Sequence, residues 1–86
     1  MNKFKKSLET YLQSQISKVI ALIKASKDRI ERLEEDLKEE INENTKRKLS
    51  ILRSEEMENR DLLWFRLDWL TKQIRILEDE MNGDTE

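Results

Sequence analysis

Leu12, Ile16, Val19, Ile23, Ile30, Leu33 and Leu37 recur at alternating steps of three and four, with Ser26 in the one remaining place. Such spacing lays a single apolar stripe along an α-helix. Extending the same register brings Asn44, Arg47, Ser54, Glu58, Asp61 and Asp68 onto the stripe. A packed helical seam does not tolerate that succession of polar residues. A second stripe nevertheless begins in a new phase with Leu63, Leu67, Leu70, Ile74, Leu77 and Met81, and Leu49 and Leu52 lie on its upstream extension. Two seams out of phase call for two helices with an interruption between them.

The segment INENTKRK, residues 41 to 48, holds the residues suited to that interruption. Asn44 can end one helix in the left-handed conformation, and Thr45 can cap the next. The expected organisation is one helical-hairpin domain over residues 1–86, with helix 1 at about 3–43, a turn at about 43–46, helix 2 at about 46–81 and a frayed tail at 82–86. Composition agrees with helix throughout: proline is absent, the single glycine is Gly83, and Glu, Lys, Leu, Arg and Ile dominate. Because neither Gly nor Pro marks the turn, the rival architecture is one unbroken helix in a long parallel coiled coil.

Charge tests how the halves meet. Residues 1 to 32 carry eight Lys/Arg against three Asp/Glu, whereas residues 57 to 86 carry four against eight. An antiparallel hairpin lays these opposite charges side by side and brings Lys3, Lys5 and Lys6 near Glu78, Asp79 and Glu80. Folding about residue 44 sets Val19 near Leu70, Ile23 near Arg66 and Leu67, Leu12 near Leu77, and Leu37 near Leu52. Upstream of the first seam, Phe4, Leu8 and Leu12 step by four, a spacing that drifts around the helix instead of holding the stripe.

Two helices cover only one face of each other, and helix 2 carries more apolar surface than one face can hide. In LLWFRLDWL, residues 62 to 70, only Arg66 and Asp68 are polar, and both tryptophans of the chain fall here. Ile51, Leu62, Phe65, Trp69 and Ile76 make a second stripe roughly 120° from the seam, and Trp64 and Met57 lie on a third flank. Helix 1 mirrors this locally with Ile20 and Leu22 on opposite sides of its seam and Tyr11 near the Leu22 side. Of the flanking aromatics, Trp64 is expected to stay the most exposed. Residues 26 to 61, by contrast, have a narrow seam containing Ser26, Glu56 and Asn59, bordered by same-helix pairs such as Asp28 with Arg32, Glu34 with Lys38 and Glu56 with Arg60. This half reads as a solvated two-helix arm. The fold class that results is all-α: a long, coiled-coil-like antiparallel helical hairpin that dimerises into a four-helix bundle through its proximal halves.

Function classes narrow quickly. Without cysteine or histidine there is no thiolate nucleophile, no imidazole base and no Cys- or His-based metal site. Without a glycine-rich loop there is no phosphate cradle. The carboxylates of EEDLKEE and EDE read as solvated helical runs, so no catalytic, cofactor-binding or metal-binding residue is assigned, and the chain is not expected to be an enzyme. No apolar run is long enough to span a bilayer, and the expected location is cytoplasmic, without membrane contact. Small size and richness in Lys, Glu, Ile and Asn suit a bacterial or phage accessory factor.

What remains is a protein–protein interaction module, acting as adaptor, scaffold or inhibitor, with itself or an unidentified protein as partner. Its face would comprise Ile51, Leu62, Trp64, Phe65, Arg66, Trp69 and Ile76, a set containing the residue types that dominate binding hot spots. The alternative is an RNA-binding regulatory four-helix-bundle dimer that uses Lys18, Arg29 and Arg32, which share one side of helix 1 beside Ala21 and Ala25.

Overall fold

The computed structural model describes residues 2 to 84. Among them the chain forms two α-helices, α1 at Asn2–Glu39 and α2 at Glu43–Asp84, packed along each other as a hairpin. The unbroken-helix architecture is thereby excluded. The hairpin is a rod: its Cα extents are 66 × 14 × 14 Å and its radius of gyration is 19.3 Å, against about 12 Å for a compact domain of this length.

The break falls earlier than the residue pattern suggests. Helix α1 ends before residue 40, and the turn occupies residues 40 to 42, whereas Asn44 and Thr45 both belong to α2. Asn42 is the cap: its Oδ1 accepts the backbone N–H groups of Asn44 (2.9 Å) and Thr45 (3.2 Å), while its carbonyl accepts the N–H of Lys46 (2.9 Å). On the other side, Glu40 folds its carboxylate back onto the N–H groups of Ile41 (3.1 Å) and Asn42 (3.0 Å). No described non-glycine residue has a positive φ, so Asn44 does not take the left-handed position expected of it.

The physical reason lies in the helix dipole. Capping at Asn42 puts Glu43 in the first turn of α2, where a carboxylate meets the positive end of the helix. Capping at Thr45 would have put Lys46, Arg47 and Lys48 there instead, all of the unfavourable sign. At the far end, α2 stays helical through residues 82 and 83 to Asp84, beyond the expected tail boundary; residues 85 and 86 lie outside the described part.

The proximal core is the one that heptad spacing implies. Leu12, Val19, Ile23, Leu70 and Leu77 form a buried cluster, with Ile16, Leu63, Leu67, Ile74 and Met81 packed against it. Ile30 extends the α1 stripe toward the turn. Ser26 is the only buried polar residue described; its hydroxyl donates to the Glu56 backbone carbonyl at 3.4 Å. Nearer the tip the packing thins. Leu37 and Leu49 are half-buried, but Leu52 is half exposed and shares a groove with Leu33, about one turn of helix farther from the tip than its expected neighbour Leu37. The shortened turn accounts for this shift.

Two stability outcomes follow from these contacts. Asn42→Ala should destabilise the hairpin by about 1 kcal/mol, whereas Thr45→Ala should cost far less, because only Asn42 caps α2. Leu70→Ala, at a position 3 % exposed, should cost roughly 2 to 5 kcal/mol and exceed the effect of Leu67→Ala at its half-buried site. Urea titrations followed by circular dichroism measure both comparisons.

Candidate functional site

The candidate site grows from what the hairpin seam leaves uncovered. Leu62, Phe65, Trp69 and Ile76 of α2 are all more than half exposed, with Phe65 the extreme at 76 %. Their spacing keeps them on one side of α2. The structure adds what that side of α2 faces across the seam. Leu8 and Leu12 of α1 line one shallow groove together with Trp69, Gln73, Ile76, Leu77 and Glu80, a space of about 240 Å³. Leu8 is therefore on the same side of the rod as the second stripe. Tyr11 and Leu22 lie one and four turns along from Leu8 on that side of α1, and both are exposed.

The face is thus a property of the hairpin and not of α2 alone. Leu8 of α1 joins the α2 residues on this face, and the sequence carries a signal for it. Steps of four from Leu12 to Leu8 to Phe4 rotate each side chain progressively off the seam, and the direction of rotation is toward Trp69. Phe4, 82 % exposed, ends that drift.

Other residues of the expected set are placed apart. Ile51 is exposed but lies about three turns of helix from Leu62, with Glu55 and Glu58 between them on that side. It does not join the proximal face. Trp64 occupies the opposite flank of α2, as its helical position requires, yet it is no more open than Trp69: 53 % against 54 %. Arg66 is exposed at the border of the face.

Lys18, Arg29 and Arg32 are all exposed on α1. Arg29 is already engaged, since its guanidinium meets Glu56 Oε1 through Nη2 at 2.8 Å and donates to it through Nε at 3.0 Å. Arg32 lines the adjoining groove with Glu55 and Glu56. The expected same-helix pairs give way here to cross-helix ones: Glu56 takes Arg29 in place of Arg60, and Glu34 takes Arg53, at 3.5 Å, in place of Lys38. Arg60 lies 3.6 Å from Asp61 instead. A long side chain beside a thin seam reaches across it, so the charges that seemed to solvate the arm also clamp it.

Glu56 has a displaced acidity. The Arg29 hydrogen bond holds its pKa below the usual carboxylate range, the Ser26 hydroxyl and the Asn59 amide add to this, and partial desolvation opposes it. The Asn59 Nδ2 donates to Oε1 at 3.3 Å. This is the chemistry of a structural ion pair: the hydrogen bonds and the neighbouring guanidinium favour the charged form, and only burial opposes it. Among the described residues no group of three acidic side chains is arranged to hold a metal ion, and no helix is long and apolar enough to cross a membrane. No protein-family model matches this chain, and neither a curated protein nor a solved structure is significantly similar to it.

The Arg29–Glu56 pair makes hairpin stability pH-dependent with a definite sign. A lowered folded-state pKa contributes stability that is fully present above the unfolded value and is lost as pH falls through the folded one. The melting-temperature difference between the native chain and Glu56→Gln should therefore be constant near neutrality and shrink as pH falls below about 4.5, the ordinary carboxylate value. Thermal melts of both proteins between neutral and acidic pH measure it, and raised ionic strength should diminish it because Arg29 is half exposed.

Proposed function

We propose that this chain is a non-catalytic protein–protein interaction module, a small helical hairpin that works as a scaffold, adaptor or inhibitor through the apolar face built from α1 and α2. The observation that carries this reading is area. The hairpin exposes 6984 Å², whereas a compact protein of 10.4 kDa exposes about 5,400 Å², an excess of roughly 1,600 Å². Part of that excess is the solvated arm, but Leu8, Tyr11, Leu22, Leu62, Phe65 and Trp69 are concentrated on one side of the proximal half. Contiguous apolar surface of this kind, bordered by polar residues, is characteristic of a protein contact.

The arm suits a different task. Its cross-helix ion pairs keep the two helices together without presenting apolar surface, so it can project from an assembly into water. RNA recognition through Lys18, Arg29 and Arg32 ranks below protein contact because Arg29 is committed to Glu56 at 2.8 Å. A phosphate would have to displace that carboxylate, and the chain as a whole carries a net charge of −2.

A photo-crosslinking amino acid placed at Phe65, with a control at the exposed arm residue Glu31, tests the assignment in cells. Protein adducts should form from position 65 and not from position 31. They should disappear when Trp69→Ala is added, while helicity remains. Absence of any protein adduct at position 65, or RNA adducts from Arg29 or Arg32 in its place, sinks the reading.

A further inference from the structure

Resting on the interaction reading above, we infer that the occupant of the apolar face is a second copy of this chain, docked with both turns at the same end so that α1 packs against the partner copy's α2. Two observations support the occupant and one sets its direction. First, the surplus exposed area, roughly 1,600 Å² per chain with the arm included, is about twice the ~800 Å² per partner of a standard stable interface, so half of it on the proximal face suffices.

Second, the face is self-complementary in level. The Glu56 contacts with Ser26 and Arg29 fix the level of the two helices, and counting from them toward the termini sets Leu22 at the height of Leu62. About four turns farther along each helix, in opposite chain directions, Leu8 comes level with Ile76. Rotating one hairpin by 180° about the long axis keeps these heights and sets α1 opposite the partner copy's α2. Leu22 then faces a leucine and Leu8 an isoleucine of the partner copy, and Tyr11 falls between its Trp69 and Ile76.

Charge chooses between the two possible two-fold axes. With the axis along the rod, helices alternate around the bundle, and every basic α1 has an acidic α2 on both sides. The basic start, Lys3, Lys5 and Lys6, then lies beside the acidic end of both α2 helices. With the axis across the rod, α1 faces α1 and α2 faces α2, so segments of net +5 and net −4 (eight against three, and four against eight) each meet their own sign. Neighbouring helix axes in a bundle lie 8–10 Å apart, about one Debye length at physiological salt, so the penalty is felt. Such terms select register and orientation more than they set affinity.

The chain has no cysteine, and Ile41 at the turn is 89 % exposed, so Ile41→Cys carrying a nitroxide label reports where the two turns lie. Light scattering of the labelled full chain gives the mass, and pulsed electron paramagnetic resonance gives the label separation. A dimer with labels less than ~40 Å apart is expected. The crossed arrangement puts each turn about 35 Å from the centre of the face, on opposite sides, so a dimer with labels ~70 Å apart overturns the orientation. A monomer at every concentration up to the solubility limit overturns the second copy as occupant. In that case protein adducts from Phe65 still decide the interaction reading, so the two fail separately.

Discussion

Two helices can bury one stripe of each other and no more, and this geometric limit governs everything else in the hairpin. The seam of Leu12, Val19, Ile23, Leu70 and Leu77 is closed. Every apolar residue that heptad spacing places elsewhere must then meet water or another molecule. In a larger helical protein, further layers of helix would absorb Phe65 and Trp69 as ordinary core. Among the described residues there is no further layer, so a core-like composition becomes a surface property.

Along its length the rod divides into two regimes with different sources of cohesion. Toward the termini, aliphatic packing holds the helices together and the flanks are apolar. Toward the turn, Ser26 and Glu56 interrupt the seam, and Ile30 with the half-buried Leu33, Leu37 and Leu49 shares the cohesion with Arg29–Glu56 and Arg53–Glu34. Exposed ion pairs of this type contribute little each. The arm is accordingly the part most able to open locally, while the buried proximal cluster sets the overall stability. The exposed apolar face sits on the better-packed half.

Much of this could be read before any coordinates. The phase change between the two heptad stripes required a hairpin, and its proximal register follows from the leucines and isoleucines alone. The position of the turn is not legible from cap chemistry, because Asn42, Asn44 and Thr45 are all competent caps and side-chain chemistry does not separate them. The sign of the neighbouring charges does: Glu43 follows one candidate, and three basic residues follow the other. The face on α2 was visible as a second stripe, but its continuation onto Leu8 was not. Recognising it required knowing which side of α1 the drift of Phe4 and Leu8 joins, and that depends on how two antiparallel helices are turned toward each other.

The same antiparallel geometry explains why the face and the charge asymmetry belong together. Opposite net charges on the two arms help the hairpin close, yet they also leave each helix with a preference for what lies on its other flank. An α1 whose apolar flank meets a second acidic helix gains twice from one charge pattern, once within the chain and once across the face. Had Lys and Glu been mixed evenly along both helices, the hairpin could still have closed on its leucines. The apolar face would then have carried no electrostatic instruction about orientation, and specificity would have rested on shape alone.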